Sequence, residues 1–511
     1  MRPDFDKYPE IPRDCLVNLK ANGEADQVYR NIRVIDPKTG KSRPGRESVG
    51  SIRNGVFHFS SNYLLRQRNQ ELTDRLERAD DVKGSVHTEK VKQRLKDAID
   101  ASGLKRRNPD RIVIPLEVIV LGSLLSALTG RSDCHEISEA VNHRLSRFLA
   151  QSFPELSDIR VSHDTVRNTM MLVGTESLAD FYAEIISPLL TVPGDRIIAA
   201  DGQSVRATGH RDKDKNKNKE NLHGAYMLMN FHDVTNRVCL YHQLNGQKNG
   251  QKNGQKNGQK NEQKKNRISV GPGCLERLNL TGATVTADAM SCQVNFARAV
   301  LKRGAHYCLA LRGNQDRSWD EVRYLFNSTD ESRFFSCHEG PECAHGRHGR
   351  IEEQTVQILK GSMLSAELLR KWDALKGGSV VRVERKVVEK ATGKDSIEHI
   401  EHKYYITSIP ATAETVGRIA EVIRAHWGIE NNLHWQLDVN FSQDRMQANN
   451  PHYITNRSAL NKLALALLEN YGYWLWDTKR EKNVLPLKQL QSRCMDPLIA
   501  MECIACGFGF V

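Results

Sequence analysis

Ala413 to Asp438 reads AETVGRIAEVIRAHWGIENNLHWQLD, and the reading of every other segment depends on this one. At about 3.6 residues per turn, Val422, Ile429, Leu433 and Leu437 fall on one stripe, which predicts a core-facing helix. Glu430 sits at the margin of that stripe, between the apolar residues and a second edge made by Trp427, His434 and Asp438. A carboxylate there can leave the packed interior and enter a cleft beside the helix. A marginal glutamate alone is an ordinary solvated rim residue, so its meaning rests on two aspartates far upstream, Asp201 and Asp288. Each follows a short apolar run with β propensity, Arg196–Ala200 and Ala283–Ala287.

At 511 residues the chain is long for one domain and can bury a sizeable core. A formal charge of +12 favours a polyanionic partner, nucleic acid first among them, although charge alone also fits a generally basic protein. The start, MRPDFDKYPE, lacks the apolar run of a secretory signal. The most apolar stretch, Ile112 to Thr129, contains Pro115 and Glu117 and falls short of the about 20 apolar residues that span a bilayer, so it reads as a buried helix. No membrane partner is expected. Eleven cysteines, scattered singly, suit a reducing cytoplasm. Cys503-x-x-Cys506 is the one close pair, with no second pair to complete a zinc site.

Taken in order, residues 1–70 mix turn signals with short β-prone runs and predict an accessory β-containing unit. A charged helical segment follows over 71–110, then a helical unit over 111–192. In the latter, Leu116–Leu128 is the buried helix, a second runs from Cys134 to about Phe153, and Ser162 is the expected N-cap of a third. With Arg144, Arg147 and Arg167 exposed, this unit reads equally as a DNA-docking helix-turn-helix or as a plain bundle. From 193 to 330 the text alternates. A strand is expected to end at Asp201-Gly202, a hairpin to turn at Asp233–Asn236, a second strand to end at Asp288, and a helix and a strand closing on Arg312 to follow. Within it, the tandem Gln247-Lys248-Asn249-Gly250 repeat predicts a disordered loop over 246–266, with nothing to bury. Residues 331–404 are β-prone and are expected to form an insertion outside the main sheet. The α/β text resumes over 405–475, and 476–511 has no reading.

Two strand-associated aspartates and a helix glutamate make a three-carboxylate cluster, too negative to ionise fully unless cations join it. Such hard oxygen donors suit Mg²⁺ or Mn²⁺, and two such ions can drive an in-line phosphoryl displacement. The fold class this points to is α/β: a ribonuclease-H-like mixed sheet with helices, a β-rich insertion before the last catalytic helix, and a helical N-terminal domain. The blocks Ser162–Thr165, Ala200-Asp201-Gly202, Thr286–Met290, Leu311–Gln315, His348–Glu352, Tyr404–Ser408, His426–Asn431 and Leu433–Asp444 resemble, in this order, the DDE transposases of bacterial insertion sequences, in the group of the H-repeat-associated proteins.

The resemblance implies a transposase that cleaves DNA at element ends and joins the freed hydroxyl to target DNA. It implies Asp201, Asp288 and Glu430 as the catalytic, metal-binding triad, with two Mg²⁺ or Mn²⁺ ions. It further implies double-stranded DNA as partner, a homodimer during transposition and a bacterial cytoplasmic setting. Arg206, Arg312, His348, Arg350, His426 and His434 are the expected DNA contacts. The chain departs from the pattern at Gln203, where relatives commonly carry lysine, at Arg267, at His426 in place of arginine, and at Leu437 in place of lysine. Two alternatives stay open: a catalytically decayed copy that still binds element ends, and a metal-dependent nuclease without strand transfer.

Overall fold

The computed structural model describes residues 2–18, 26–35, 42–53, 56–60, 63, 85–104, 114–154, 156, 159–190, 195–213, 220–247, 270–343, 350–389 and 397–510. The chain forms two units, each discontinuous in sequence. One comprises Met1–Leu65 and Leu280–His426, the other Arg66–Asn279 and Trp427–Val511.

In the first unit, Leu16–Asn18, Asp26–Ile35, Ser42–Arg53 and Val56–Phe59 form a four-stranded antiparallel sheet in sequence order. Tyr8, Ile11, Val17, Val28, Val49 and Phe57 make its core, so β-prone runs of the N-terminus do form strands. In this unit's larger set of paired strands the order is Phe335–Cys343, Arg350–Lys360, Ser379–Glu389, Ile397–Thr407, His306–Leu311, Thr284–Ala287. Its last pair is parallel and the others are antiparallel. The parallel pair needs a crossover, which the Val294–Lys302 helix supplies. Thr284–Ala287 is buried at all four positions, as a strand covered on both faces should be. One covering element is the helix Val416–Ala425, which packs on the strands with Val416, Ile419, Ala420, Val422 and Ile423.

The β-prone 331–404 segment does not form structure outside this sheet, contrary to the expectation. Cys308–Leu311 pairs with Tyr404–Thr407, so the strands from Phe335 to Thr407 extend the ladder that Thr284–Ala287 and His306–Leu311 begin. The free edge of His306–Leu311 offers unpaired N–H and C=O groups, and Ile397–Thr407 satisfies them.

The second unit carries an antiparallel meander, Ile197–Val205, Tyr226–Asp233, Val238–Gln247, among helices. The expected hairpin turn is there. Asp233 accepts both the backbone and the side-chain N–H of Asn236, at 2.9 and 2.8 Å. The long helix Pro451–Asp477 starts with Pro451 in its first turn and Asn450 capping Tyr453 N–H, and is buried along most of its length. It packs on His163–Leu172, Thr175–Ile186, Val238–Gln247 and Pro497–Gly507. Leu116–Ala127 is buried nearly all round, and Ser162 caps the next helix but two through Thr165 N–H, both as expected. Arg144 is not the exposed cation expected of it. Its guanidinium donates to the carbonyls of Leu125, Cys494 and Met495, tying the helices at 111–192 to the C-terminal segment. Arg147 and Arg167 are exposed. The C-terminal residues that had no reading form helices Leu487–Arg493 and Pro497–Gly507, with Leu490, Cys494, Cys503 and Cys506 buried. No disulfide joins the described cysteines. Among the described residues no helix is long and apolar enough to cross a membrane. The repeat at 248–266, His348 and the Arg350 side chain lie outside the described residues.

Candidate nucleic-acid-processing site

The strand Ile197–Val205 does not stop at Asp201-Gly202, as the sequence suggested. It runs on through Asp201 because the neighbouring strand continues the ladder, with Asp201 opposite Asn230 and Gln203 opposite Leu228. Asp201 is thus held mid-strand, half-buried. Its Oδ1 accepts the Gly202 N–H at 2.7 Å. Asp288 does lie just past its strand, half-buried, and its Oδ1 accepts the Ser291 N–H at 3.1 Å.

Helical structure in the second unit runs from Trp427 to Asn440, but not at one pitch. Glu430–His434 forms a π turn between α-helical segments. Such turns insert a residue and re-aim the side chains beyond them. Ile429, Leu433 and Leu437 are at most 1% exposed, as expected, and Glu430 is exposed; Val422, expected on the same helix, belongs instead to Val416–Ala425 of the first unit. Gly428 is where the helix meets the meander: a Cβ there would stand 2.9 Å from Val234 Cγ1.

Two turns of this helix face Asp201 and Gln203. His434 Nδ1 lies 3.7 Å from Asp201 Oδ2, and Asn230 Nδ2 donates to His434 Nε2 at 3.0 Å. In this amide orientation Nε2 accepts, so the ring proton sits on Nδ1, on the Asp201 side. One turn on, Gln203 Nε2 donates to Asp438 Oδ1 at 3.0 Å. Burial, with Asp444 second, pushes the Asp438 carboxyl up to about 6, against the Gln203 bond and Arg206. His232, on the Asn230 strand, is buried and pushed down to about 3, first by burial and then by His434.

In the first unit the segment after Asp288 is pinned by the turn after the His306–Leu311 strand. Asn314 Nδ2 donates to the Ala289 carbonyl, and Gln315 Nε2 to that of Cys292 at 3.0 Å. Lys371 in turn donates to Gln315 Oε1 at 2.7 Å. His426 is half-buried and burial lowers its pKa, with Asp288 opposing.

Of the expected site residues, then, Asp201 and Glu430 belong to the second unit and Asp288 to the first. Arg206 and Arg312 are exposed. His434 turns inward to Asp201 and Asn230. Carboxylate oxygens are the donors a hard divalent cation takes. Among the described residues, no three His, Cys, Asp or Glu side chains are grouped to hold one. Reading the sequence missed Asn230, Gln443 and the Gln203–Asp438 bond. The signal for Asn230 was an amide in the apolar run Tyr226–Phe231, where only a partnered polar group is stable.

Residues 192–467 match the family described as "Transposase DDE domain", a span that includes Asp201, Asp288 and Glu430. The chain belongs to the DDE transposase family. Relatives of this DDE transposase-domain protein include the "Putative transposase YncI" of Escherichia coli O157:H7, 24% identical over 79% of this chain and 93% of that protein. The "H repeat-associated putative transposase YhhI" of Escherichia coli (strain K12) is 24% identical over 70% of this chain and 85% of its own length. A piggyBac transposase in a synaptic complex with hairpin DNA covers 81% of this chain and 78% of its own, at TM-score 0.35 and 12% identity, too distant for any inference.

Proposed function

We propose that this transposase-family chain cleaves double-stranded DNA at the ends of an insertion sequence and transfers the freed strand to a target. Asp201, Asp288 and Glu430 would hold Mg²⁺ or Mn²⁺ on a ribonuclease-H-like core. The observation that carries the reading is the family match spanning all three carboxylates. The contact of His434 with Asp201 supports it, because it fastens the Glu430 helix to the Asp201 strand within one unit.

When bound, the divalent ion would polarise the scissile phosphate and lower the pKa of the attacking water or hydroxyl. The chain's own groups do the rest. Asn230 holds the His434 ring so that its Nδ1 proton faces Asp201. Gly428 lets the helix approach closely. The net charge of +12 supplies the attraction to phosphate, and Arg206 and Arg312 are exposed to contribute to it. Transfer at two element ends calls for two active chains, hence a homodimer on DNA, in a bacterial cytoplasm.

The test separates transfer from hydrolysis. A pre-nicked, end-labelled duplex carrying the element end is incubated with supercoiled plasmid, Mg²⁺ and the full chain. Label joined covalently to plasmid supports the proposal. Hydrolysis without joining assigns the chain to the metal-dependent nucleases. Binding in a gel shift with neither reaction assigns it to the end-binding, non-cutting proteins.

A further inference from the structure

Gln203, Gln443, Ser458, Asn461 and Lys462 are polar residues of the second unit that are each at most 4% exposed. They are not scattered. Lys462 Nζ donates to Ser458 Oγ at 3.0 Å, and Ser458 Oγ donates to Gln443 Oε1 at 3.2 Å. Gln443 Nε2 donates to Gln203 Oε1 at 2.8 Å, and Gln203 Nε2 donates to Asp438 Oδ1 at 3.0 Å. Asn461 Nδ2 adds a second, longer donation to Gln443 Oε1 at 3.4 Å.

Every link points the same way. An ionised carboxylate can only accept, so Asp438 requires the Gln203 N–H₂. That turns the Gln203 carbonyl to Gln443, which must present its own N–H₂, leaving its carbonyl for the Ser458 hydroxyl. The amine, which can only donate when charged, closes the other end. Bonds aligned in this sense polarise one another and strengthen together. An apolar filler would be the cheaper way to pack a core, since a half-satisfied buried polar group costs about 1–3 kcal/mol. A buried chain of five residues, each bonded to the next in one sense, therefore calls for a role in holding geometry.

The geometry it holds is that of Asp201. Residues i and i+2 of a strand share a face and stand about 6.6 Å apart, and residues i and i+4 of a helix rise by about 6 Å. Asp201 and Gln203 thus match His434 and Asp438 in spacing, and each meets its counterpart. His434 alone would join the helix to this face of the strand by one side-chain contact. The second contact, anchored through Gln443 to the long core helix, fixes the helix against the strand at two points.

We propose that Gln203 is a positioning residue for Asp201, fixed by the one-way hydrogen-bond chain that runs from Lys462 through Ser458 and Gln443 and ends on the Asp438 carboxylate. This rests on the reading of Asp201 as catalytic.

The test uses the full chain and two kinds of readout. Steady-state nicking of a labelled element-end duplex is compared for wild type, Gln203→Leu, Asp438→Leu, Asp438→Asn and Asp201→Asn. Hydrogen exchange is followed in parallel over peptides covering 197–205. Gln203→Leu and Asp438→Leu should lower kcat by about 100-fold, the cost of a misplacement near 1 Å, with KM unchanged. Asp438→Asn keeps an acceptor oxygen for Gln203 and should retain most of the rate. Exchange at 197–205 should quicken at least about tenfold in both leucine variants and not in Asp438→Asn. Asp438 is half-exposed, so its leucine variant leaves no cavity and remains informative if Gln203→Leu does not fold. Wild-type kcat or wild-type exchange in the leucine variants overturns the proposal, as does equal damage from Asp438→Asn and Asp438→Leu. Undiminished nicking by Asp201→Asn overturns the catalytic reading itself, and the proposal with it. A dead Asp201→Asn beside a fully active Gln203→Leu overturns the positioning role alone.

Discussion

Lys462 is a fully buried amine that, among the described residues, donates to the Ser458 hydroxyl. Burial, partly offset by Cys239, brings its pKa from 10.5 down to about 8. Between pH 8 and 10.5 the unfolded chain therefore holds a proton that the folded chain has lost, and stability must rise with pH through that window. Below pH 8 both states are charged and the full penalty stands. With those two values the penalty is about 3 kcal/mol at pH 7 and about 1 kcal/mol at pH 10. Lys462→Met removes it, keeps the volume, and gives up one hydrogen bond worth about 1 kcal/mol. The variant should thus be more stable than wild type by about 2 kcal/mol at pH 7, and level with it near pH 10. Urea unfolding followed by fluorescence, at pH 7 and pH 10 for both proteins, reads the difference, so that other groups titrating in this range cancel. A variant less stable at pH 7, or a difference that does not change between the two pH values, would refute the assignment of Lys462 as an uncompensated buried amine.

Two further outcomes follow from the same unit. The Asp438 carboxyl, raised to about 6, binds its proton more tightly in the folded chain than in the unfolded one. Stability should fall as pH rises from about 4 to 6, and Asp438→Asn should flatten that fall in a thermal-unfolding series. Gly428→Ala would gain about 1 kcal/mol of helix propensity in an open helix. Here the new Cβ meets Val234 at 2.9 Å, and overpacking at about 1–3 kcal/mol should make the variant less stable than wild type. A higher unfolding midpoint for Gly428→Ala would show the helix and meander to be less tightly apposed.

What the sequence disclosed and what it hid divide along the range of the interactions. Local signals were legible: Ser162 as a cap, Asp233–Asn236 as a turn, the Ile429–Leu437 stripe, the buried Leu116–Ala127 helix. Each depends on neighbours within a few residues. The strand through Asp201 was cut short because its continuation depends on pairing with Asn230, which composition at 201–205 does not announce. The 331–404 segment read as β but not as part of the larger sheet, because pairing partners are not written in either strand. The π turn at Glu430–His434 keeps the apolar stripe intact, so periodicity does not reveal it. Arg144 looked like a surface cation because two of the three carbonyls it serves, those of Cys494 and Met495, lie about 350 residues away. Gln203 looked like a mere departure from the family pattern, since its partner Asp438 is 235 residues on. Apart from the π turn, the hidden features are those made by distant parts of the chain meeting.

The central claim is that Asp201, Asp288 and Glu430 act as one metal-holding unit. The measurement is nicking of a labelled element-end duplex with Mg²⁺ by wild type, Asp201→Asn, Asp288→Asn and Glu430→Gln, beside a gel shift on the same DNA. Each substitution keeps size and hydrogen bonding and removes one negative charge. Ligands that act together are not additive when lost, so the three should fail alike, by more than the about 10–100-fold that losing an outer-shell partner costs. Gel-shift affinity should stay near that of wild type, because it rests on basic residues elsewhere. Wild-type nicking by any one of the three would contradict the claim.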